Sequence, residues 1–132
     1  MKRILSRLFA LVLVAAIGLT GCSGATGGLS GDYRQDTLTL INSLRTAIEL
    51  PVEDTAKPAA EAEAKALIND FASRYRRNGN VTKLSSFTTM RTALNALAGH
   101  YSSYPNRPVP EKLKVRLQQE FKQVESALNR GA

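Results

Sequence analysis

The 132-residue chain has one cysteine, one histidine and no tryptophan. A lone cysteine excludes an internal disulfide, so an exported domain built from this chain must be stable through its own core. One histidine and one cysteine are too few for a structural zinc site, and no HExxH, CxxC, GxSxG or Walker spacing occurs. The Glu-x-x-His pair of a di-iron bundle is missing. Glu61 and Glu63 are close in sequence, but residues two apart on a helix point away from each other. The sequence therefore predicts no catalytic site, no metal and no cofactor. Also missing is any run of β-branched residues with period two, while Ala, Leu, Lys, Arg, Gln and Glu abound, which makes helix the default. The longest uncharged apolar run, Leu8 to Leu19, is twelve residues, short of the roughly 20 that a membrane-spanning helix needs.

That short run follows Lys2, Arg3 and Arg7, and a basic start followed by a short apolar stretch is the pattern of a secretory signal. Leu19, Thr20 and Gly21 then lead directly into Cys22, in the order apolar, small, small, Cys. This resembles the bacterial lipobox, in which the cysteine thiol is alkylated by a diacylglyceryl group and becomes the first residue of the mature protein. Cys22 is predicted to be a lipid attachment site, and two or more fatty chains hold a protein on a membrane far longer than one. The sequence thus divides into a lipoprotein signal peptide (1–21), a lipidated tether rich in Gly and Ser (22–31) and a folded domain (32–130). Residues 23–31 reach at most about 30 Å, so the domain works close to its membrane.

Removing residues 1–21 leaves 111, which is one domain's worth. Fifteen Lys and Arg then stand against eleven Asp and Glu, an excess of four. So moderate a charge does not by itself suggest nucleic acid. Within the domain, Leu38, Ile41, Leu44 and Ile48 recur at helical spacing, with Asp32 and Asp36 at the favourable end of the helix dipole. After "LPVEDTAKP" a second helix starts near Pro58 and carries Ala60, Ala64, Leu67, Phe71 and Tyr75 on one side. The i,i+4 pairs Glu61–Lys65 and Asp70–Arg74 are expected on its outer side, and Gly79 is expected to take the left-handed conformation that ends it. A third helix shows Phe87, Met90, Leu94, Leu97 and Tyr101, with Ser85 or Ser86 as its cap. A fourth, from about Pro110 to Arg130, shows Leu113, Leu117, Phe121, Val124 and Leu128. Four amphipathic helices with short connections predict an all-α, antiparallel up-down-up-down four-helix bundle.

Two surface stretches stand out as candidate partner contacts. In "RYRRNGN", Arg76 and Arg77 flank the end of the second helix, either as a solvated helix terminus or as a docking patch for an acidic protein surface. In "GHYSSYPNRPVP", Tyr104 and Arg107 are of the residue types enriched at interface hot spots, and the prolines lower the entropy lost on docking. His100 reads as a packing or capping histidine, with a pH-sensing role as the alternative.

The stretches "LINDFASRYRRNGNV" (67–81), "SFTTMRTALNALAGHYSSYPNRPVPEKLK" (86–114) and "RLQQEFKQVESAL" (116–128) resemble the Psb27 family of lumenal photosystem II assembly and repair factors, in its cyanobacterial lipoprotein form. The resemblance covers nearly the whole mature chain. It implies a four-helix bundle, monomeric and non-catalytic, anchored on the lumenal side of the thylakoid membrane. It also implies binding at the forty-three-kilodalton chlorophyll antenna subunit of immature or damaged photosystem II, before the manganese cluster and extrinsic proteins are in place. The competing reading of the residues alone is an envelope-anchored helical binding lipoprotein unrelated to photosynthesis.

Overall fold

The computed structural model describes residues 29–105 and 107–132. The predicted signal peptide, Cys22 and most of the tether lie outside the described residues. Helices account for all regular structure described: α1 (Tyr33–Glu49), α2 (Lys57–Tyr75), the single turn α3 (Gly79–Thr82), α4 (Ser85–Ser103) and α5 (Glu111–Asn129).

Each boundary has a local cause. Asp32 caps α1 by accepting from the Gln35 backbone N–H at 2.9 Å. Pro51 ends the helix by holding Leu50 in extended backbone. Pro58, which has no N–H to satisfy, stands in the first turn of α2. Pro110 precedes α5, and Gly131 closes it at φ +74°. The Gly131 N–H bonds the Leu128 carbonyl at 3.1 Å and the Ala132 N–H bonds the Ala127 carbonyl at 2.8 Å, the Schellman arrangement that only glycine accommodates without strain.

Side-chain pairs fix the antiparallel order. At one end the Lys57 ammonium reaches the Ala47 and Leu50 carbonyls, so α2 starts where α1 stops. At the other end Tyr75 meets Asp36, and Phe71 stacks on Phe87 at 6.2 Å. Arg34 bonds Asn129 while Arg45 bonds Gln118, which runs α5 against α1. The Ser86 N–H bonds the Ala132 carbonyl, bringing the start of α4 to the end of the chain. The helices thus form two hairpins, α1–α2 and α4–α5, joined mainly along α1 and α5. All-α, up-down-up-down architecture was the expectation, and this is what is seen.

The core matches the predicted stripes. Ile41, Leu44, Ile48, Ala64, Phe71, Met90, Leu97, Leu117, Phe121 and Val124 are at most 1% exposed. Leu38, Ala60 and Leu113 are partly buried against them. Three local expectations were wrong. Gly79 is not left-handed: α2 ends at Tyr75 with Arg76 still in right-handed helical backbone, and the chain turns directly into α3, capped by the Asn78 side chain on the Asn80 N–H. Neither Ser85 nor Ser86 caps α4, because its cap position is Leu84 and the Ser86 hydroxyl is buried against the Tyr33 hydroxyl at 2.7 Å. Lys65 does not pair with Glu61. Lys65 lies over the Tyr101 ring at 5.0 Å, and Glu61 faces Lys57 at 3.8 Å. The Asp70–Arg74 pair forms, at 3.0 Å.

Candidate functional site

The four predicted contact residues fall at opposite ends of the bundle. Tyr104 and Arg107 belong to the end where α1 turns into α2 and α4 into α5. Arg76 and Arg77 belong to the end where the chain enters α1. Since α2 separates the two pairs and is 19 residues long, they stand about 28 Å apart along its axis.

At the far end, the loop after α4 is held from both sides. The Tyr104 N–H bonds the His100 carbonyl at 2.8 Å, and the Arg107 N–H returns to the Tyr104 carbonyl at 3.2 Å. Val109, 4% exposed, plugs the loop into the core. His100 is buried and its Nε2 faces the Arg107 carbonyl at 3.2 Å. A carbonyl oxygen can only accept, so this nitrogen carries hydrogen, and the bond persists whether the ring is neutral or cationic. This is the packing role expected of His100. With its backbone fixed in this way, the Arg107 guanidinium lies over the Tyr104 ring at 5.4 Å. Tyr104 is 48% exposed and Val52, on the neighbouring loop, is 60% exposed. A cleft of about 230 Å³ runs between Val52, Lys57, Pro58 and Glu61 on one side and Pro105, Arg107 and Pro108 on the other. Rigid loops presenting an aromatic, an arginine and an apolar side chain around a shallow cleft are suited to gripping a protein surface.

The entry end is built around Asp36. Its carboxylate is fully buried and accepts from the Ser30 N–H at 2.5 Å, the Ser30 hydroxyl at 2.8 Å, the Gly31 N–H at 2.9 Å and the Tyr75 hydroxyl at 2.5 Å. Burial works to raise its pKa, but the bonds from Tyr75, Ser30 and Gly31 outweigh burial and hold it below the usual carboxylate range. The Tyr75 hydroxyl is shifted upward, by burial first and then by donating to this anion. Leu29, 6% exposed, packs into the core just before this cage. The chain therefore enters the bundle beside Tyr75, next to the exposed Arg76 and Arg77.

Two buried charges escaped the sequence reading. The sequence marks Asp36 only as an anion at the favourable end of a helix dipole, and Lys57 as part of the break between two helices. Lys57 is 7% exposed and donates to the Ala47 carbonyl at 3.1 Å and the Leu50 carbonyl at 2.7 Å, satisfying the open end of α1. The only available signal was a lysine eight residues beyond a helix that has no basic residue in its last turn. Tyr101 lies in the core stripe as expected, with its hydroxyl buried and unpartnered. Burial, and secondarily the charge of Glu61, push its pKa up to about 12. Among the described residues no cluster of three or more His, Cys, Asp or Glu could hold a metal ion, and no helix is long and apolar enough to cross a membrane.

Known proteins carry the same architecture. The chain is 59% identical over its full length to the photosystem II assembly factor lipoprotein Psb27 of Thermosynechococcus vestitus, covering 98% of that protein. It is 56% identical over 131 residues to the photosystem II lipoprotein Psb27 of Synechocystis, covering 99% of this chain and 97% of the other. It is also 34% identical over 101 residues to the chloroplast photosystem II repair protein PSB27-H1 of Arabidopsis thaliana, covering 76% of this chain and 58% of that protein. The solution structure of a cyanobacterial Psb27 superposes with a TM-score of 0.76 at 54% identity, over 81% of this chain and 94% of that one. In that relative, a chain matched over 94% of its length by this one adopts the bundle in solution. The crystal structure of PSB27 from Arabidopsis thaliana gives 0.73 at 34% identity, over 76% of this chain and 98% of that one. The profile of the family described as photosystem II Pbs27 spans residues 6–128, and the chain belongs to that family.

Proposed function

We propose that this chain is a lipid-anchored, non-catalytic assembly and repair factor of photosystem II. It works on the lumenal side of the thylakoid membrane and docks at the forty-three-kilodalton chlorophyll antenna subunit of immature complexes, before the manganese cluster and extrinsic proteins are in place. The observation that carries this reading is 59% identity along the whole chain, Cys22 and its preceding stretch included, to a protein named as an assembly factor lipoprotein. The geometry fits a reversible binder. The far end offers Tyr104, Arg107 and Val52 on braced loops, and among the described residues no group of three or more His, Cys, Asp or Glu is placed to hold a metal ion.

In mechanism, the bundle occupies a lumenal surface of the assembling complex through the Tyr104–Arg107 end. It leaves when the maturing complex changes shape or another subunit competes for that surface. Cys22, as the lipid attachment site, keeps the local concentration high through a short tether, and the bundle acts as a monomer. The test is isolation of photosystem II intermediates from thylakoids carrying the tagged full chain. Recovery with complexes that contain the antenna subunit but lack extrinsic proteins is expected. Recovery with envelope membranes alone, or equally with mature complexes, would contradict the reading.

A further inference from the structure

We propose that the entry end of the bundle, carrying Arg76, Arg77, Lys83 and Arg130, is a second interaction surface that lies against an anionic lipid surface. This leaves the Tyr104–Arg107 end pointing away from the membrane. The assignment of Arg76 and Arg77 follows from three observations.

The first is the distribution of charge. The segments that form the entry end, residues 29–36, 70–86 and 126–132, hold six Lys and Arg against three Asp. One of those three, Asp36, is buried and spent on four donors, and a second, Asp70, is paired with Arg74. The segments that form the far end, residues 49–61 and 104–114, hold four basic residues against five acidic ones. The excess positive charge thus sits at one end.

The second is that these cations are free. Arg76, Arg77 and Lys83 are exposed and form no ion pair among the described residues, and Arg130 bonds only the neutral Ser126 hydroxyl at 2.8 Å. They surround the short α3 turn and the closing turn of α5, a placement that suits contact with an anionic plane.

The third is where the chain enters. Leu29 is locked into the core and the Asp36 cage fixes Ser30 and Gly31 beside Tyr75. Only seven residue steps separate Leu29 from Cys22, a reach of at most about 24 Å. With Cys22 as the lipid attachment site, as proposed above, the basic end is held within about 24 Å of the headgroups. Attraction to anionic headgroups acts within a Debye length, about 8 Å at physiological ionic strength, and a tether this short keeps the basic end returning to that distance.

The test uses residues 29–132 without lipid, so its outcome does not depend on Cys22 or on photosystem II binding. The fragment is titrated at low salt with sedimenting vesicles of phosphatidylcholine alone, or of phosphatidylcholine with about one third phosphatidylglycerol. Binding to the anionic vesicles only, lost at high salt, is expected. At about a fivefold change per basic residue near such a surface, Arg76→Gln with Arg77→Gln should weaken partitioning about 30-fold. The pair Lys112→Gln with Lys114→Gln, which removes the same net charge at the far end, should change it less than about twofold. Equal losses from both pairs would mean attraction by net charge alone and would overturn the proposal. So would failure of the wild-type fragment to prefer anionic vesicles. If vesicle binding is absent but Arg76→Gln with Arg77→Gln lowers capture of photosystem II intermediates, the entry end reads an acidic protein surface instead and the proposal fails.

Discussion

Replacing Asp36 by Asn keeps the size of the side chain and removes its charge from the cage that joins the incoming chain, α1 and α2. Each carboxylate oxygen takes two donors: Oδ1 the N–H and hydroxyl of Ser30, Oδ2 the Gly31 N–H and the Tyr75 hydroxyl. Asparagine keeps one acceptor oxygen and turns an NH2 group toward the other pair, so two bonds are lost. Hydrogen bonds to a charged group contribute about 1.5–3 kcal/mol each, and the Tyr75 hydroxyl can recover part by accepting from the new amide. The variant no longer buries a charge, which offsets part of the loss. A net cost of about 3 kcal/mol remains, a large share of the roughly 5–15 kcal/mol that stabilises a domain. For a chain of this size that lowers the midpoint of thermal unfolding by about 12 °C.

The pH dependence has a definite sign. The folded pKa of Asp36 is lowered, so its contribution is fully present above the unfolded value, about 3.9, and is lost as pH falls through the folded value. Urea unfolding of residues 29–132 at pH 7 and at steps below pH 4 measures both effects. Wild type should lose stability more steeply on acidification than Asp36→Asn, by up to about 1.4 kcal/mol per pH unit. An Asn variant within about 1 kcal/mol of wild type at pH 7, with the same acid slope, would refute the cage as a stabilising element.

Further predictions concern the other buried polar groups and the far loop. Lys57→Met should cost about 2 kcal/mol in thermal unfolding, because the carbonyls of Ala47 and Leu50 lose their cation while the apolar stem stays packed. Tyr101→Phe removes a buried hydroxyl that has no partner, so it should leave stability unchanged or raise it by about 0.5–1 kcal/mol in the same assay. His100→Ala should free the Arg107 carbonyl and speed amide hydrogen exchange across residues 104–109, while helical circular dichroism stays close to wild type.

Most of the bundle was legible because apolar spacing and proline placement are local signals. Phe87, Met90, Leu94, Leu97 and Tyr101 could be assigned to one face of a helix without knowing what covers them, and Pro51, Pro58 and Pro110 mark three boundaries. What escaped depends on partners distant in sequence. Asp36 is buried because Tyr75, 39 positions away, closes its cage. Ser86 looked like a cap but faces Tyr33, 53 positions earlier. Gly79 looked like the glycine that ends a helix, and that role belongs to Gly131, whose motif only becomes visible once the last turn is folded. For the surface, composition picked out Arg76, Arg77, Tyr104 and Arg107 as unusual. Only the fold separates them into two ends, because the order of residues along a chain does not say which turns of an up-down bundle come together.

The central claim is that the far end grips the photosystem while the entry end faces the membrane. Capture of photosystem II assembly intermediates by residues 29–132 in detergent tests it directly, comparing wild type, Tyr104→Ala with Arg107→Ala, and Arg76→Gln with Arg77→Gln. The account predicts at least a tenfold loss of capture for the Tyr104–Arg107 pair and less than a twofold change for the Arg76–Arg77 pair. Undiminished capture by the Tyr104–Arg107 variant, or a loss confined to the Arg76–Arg77 variant, would contradict it.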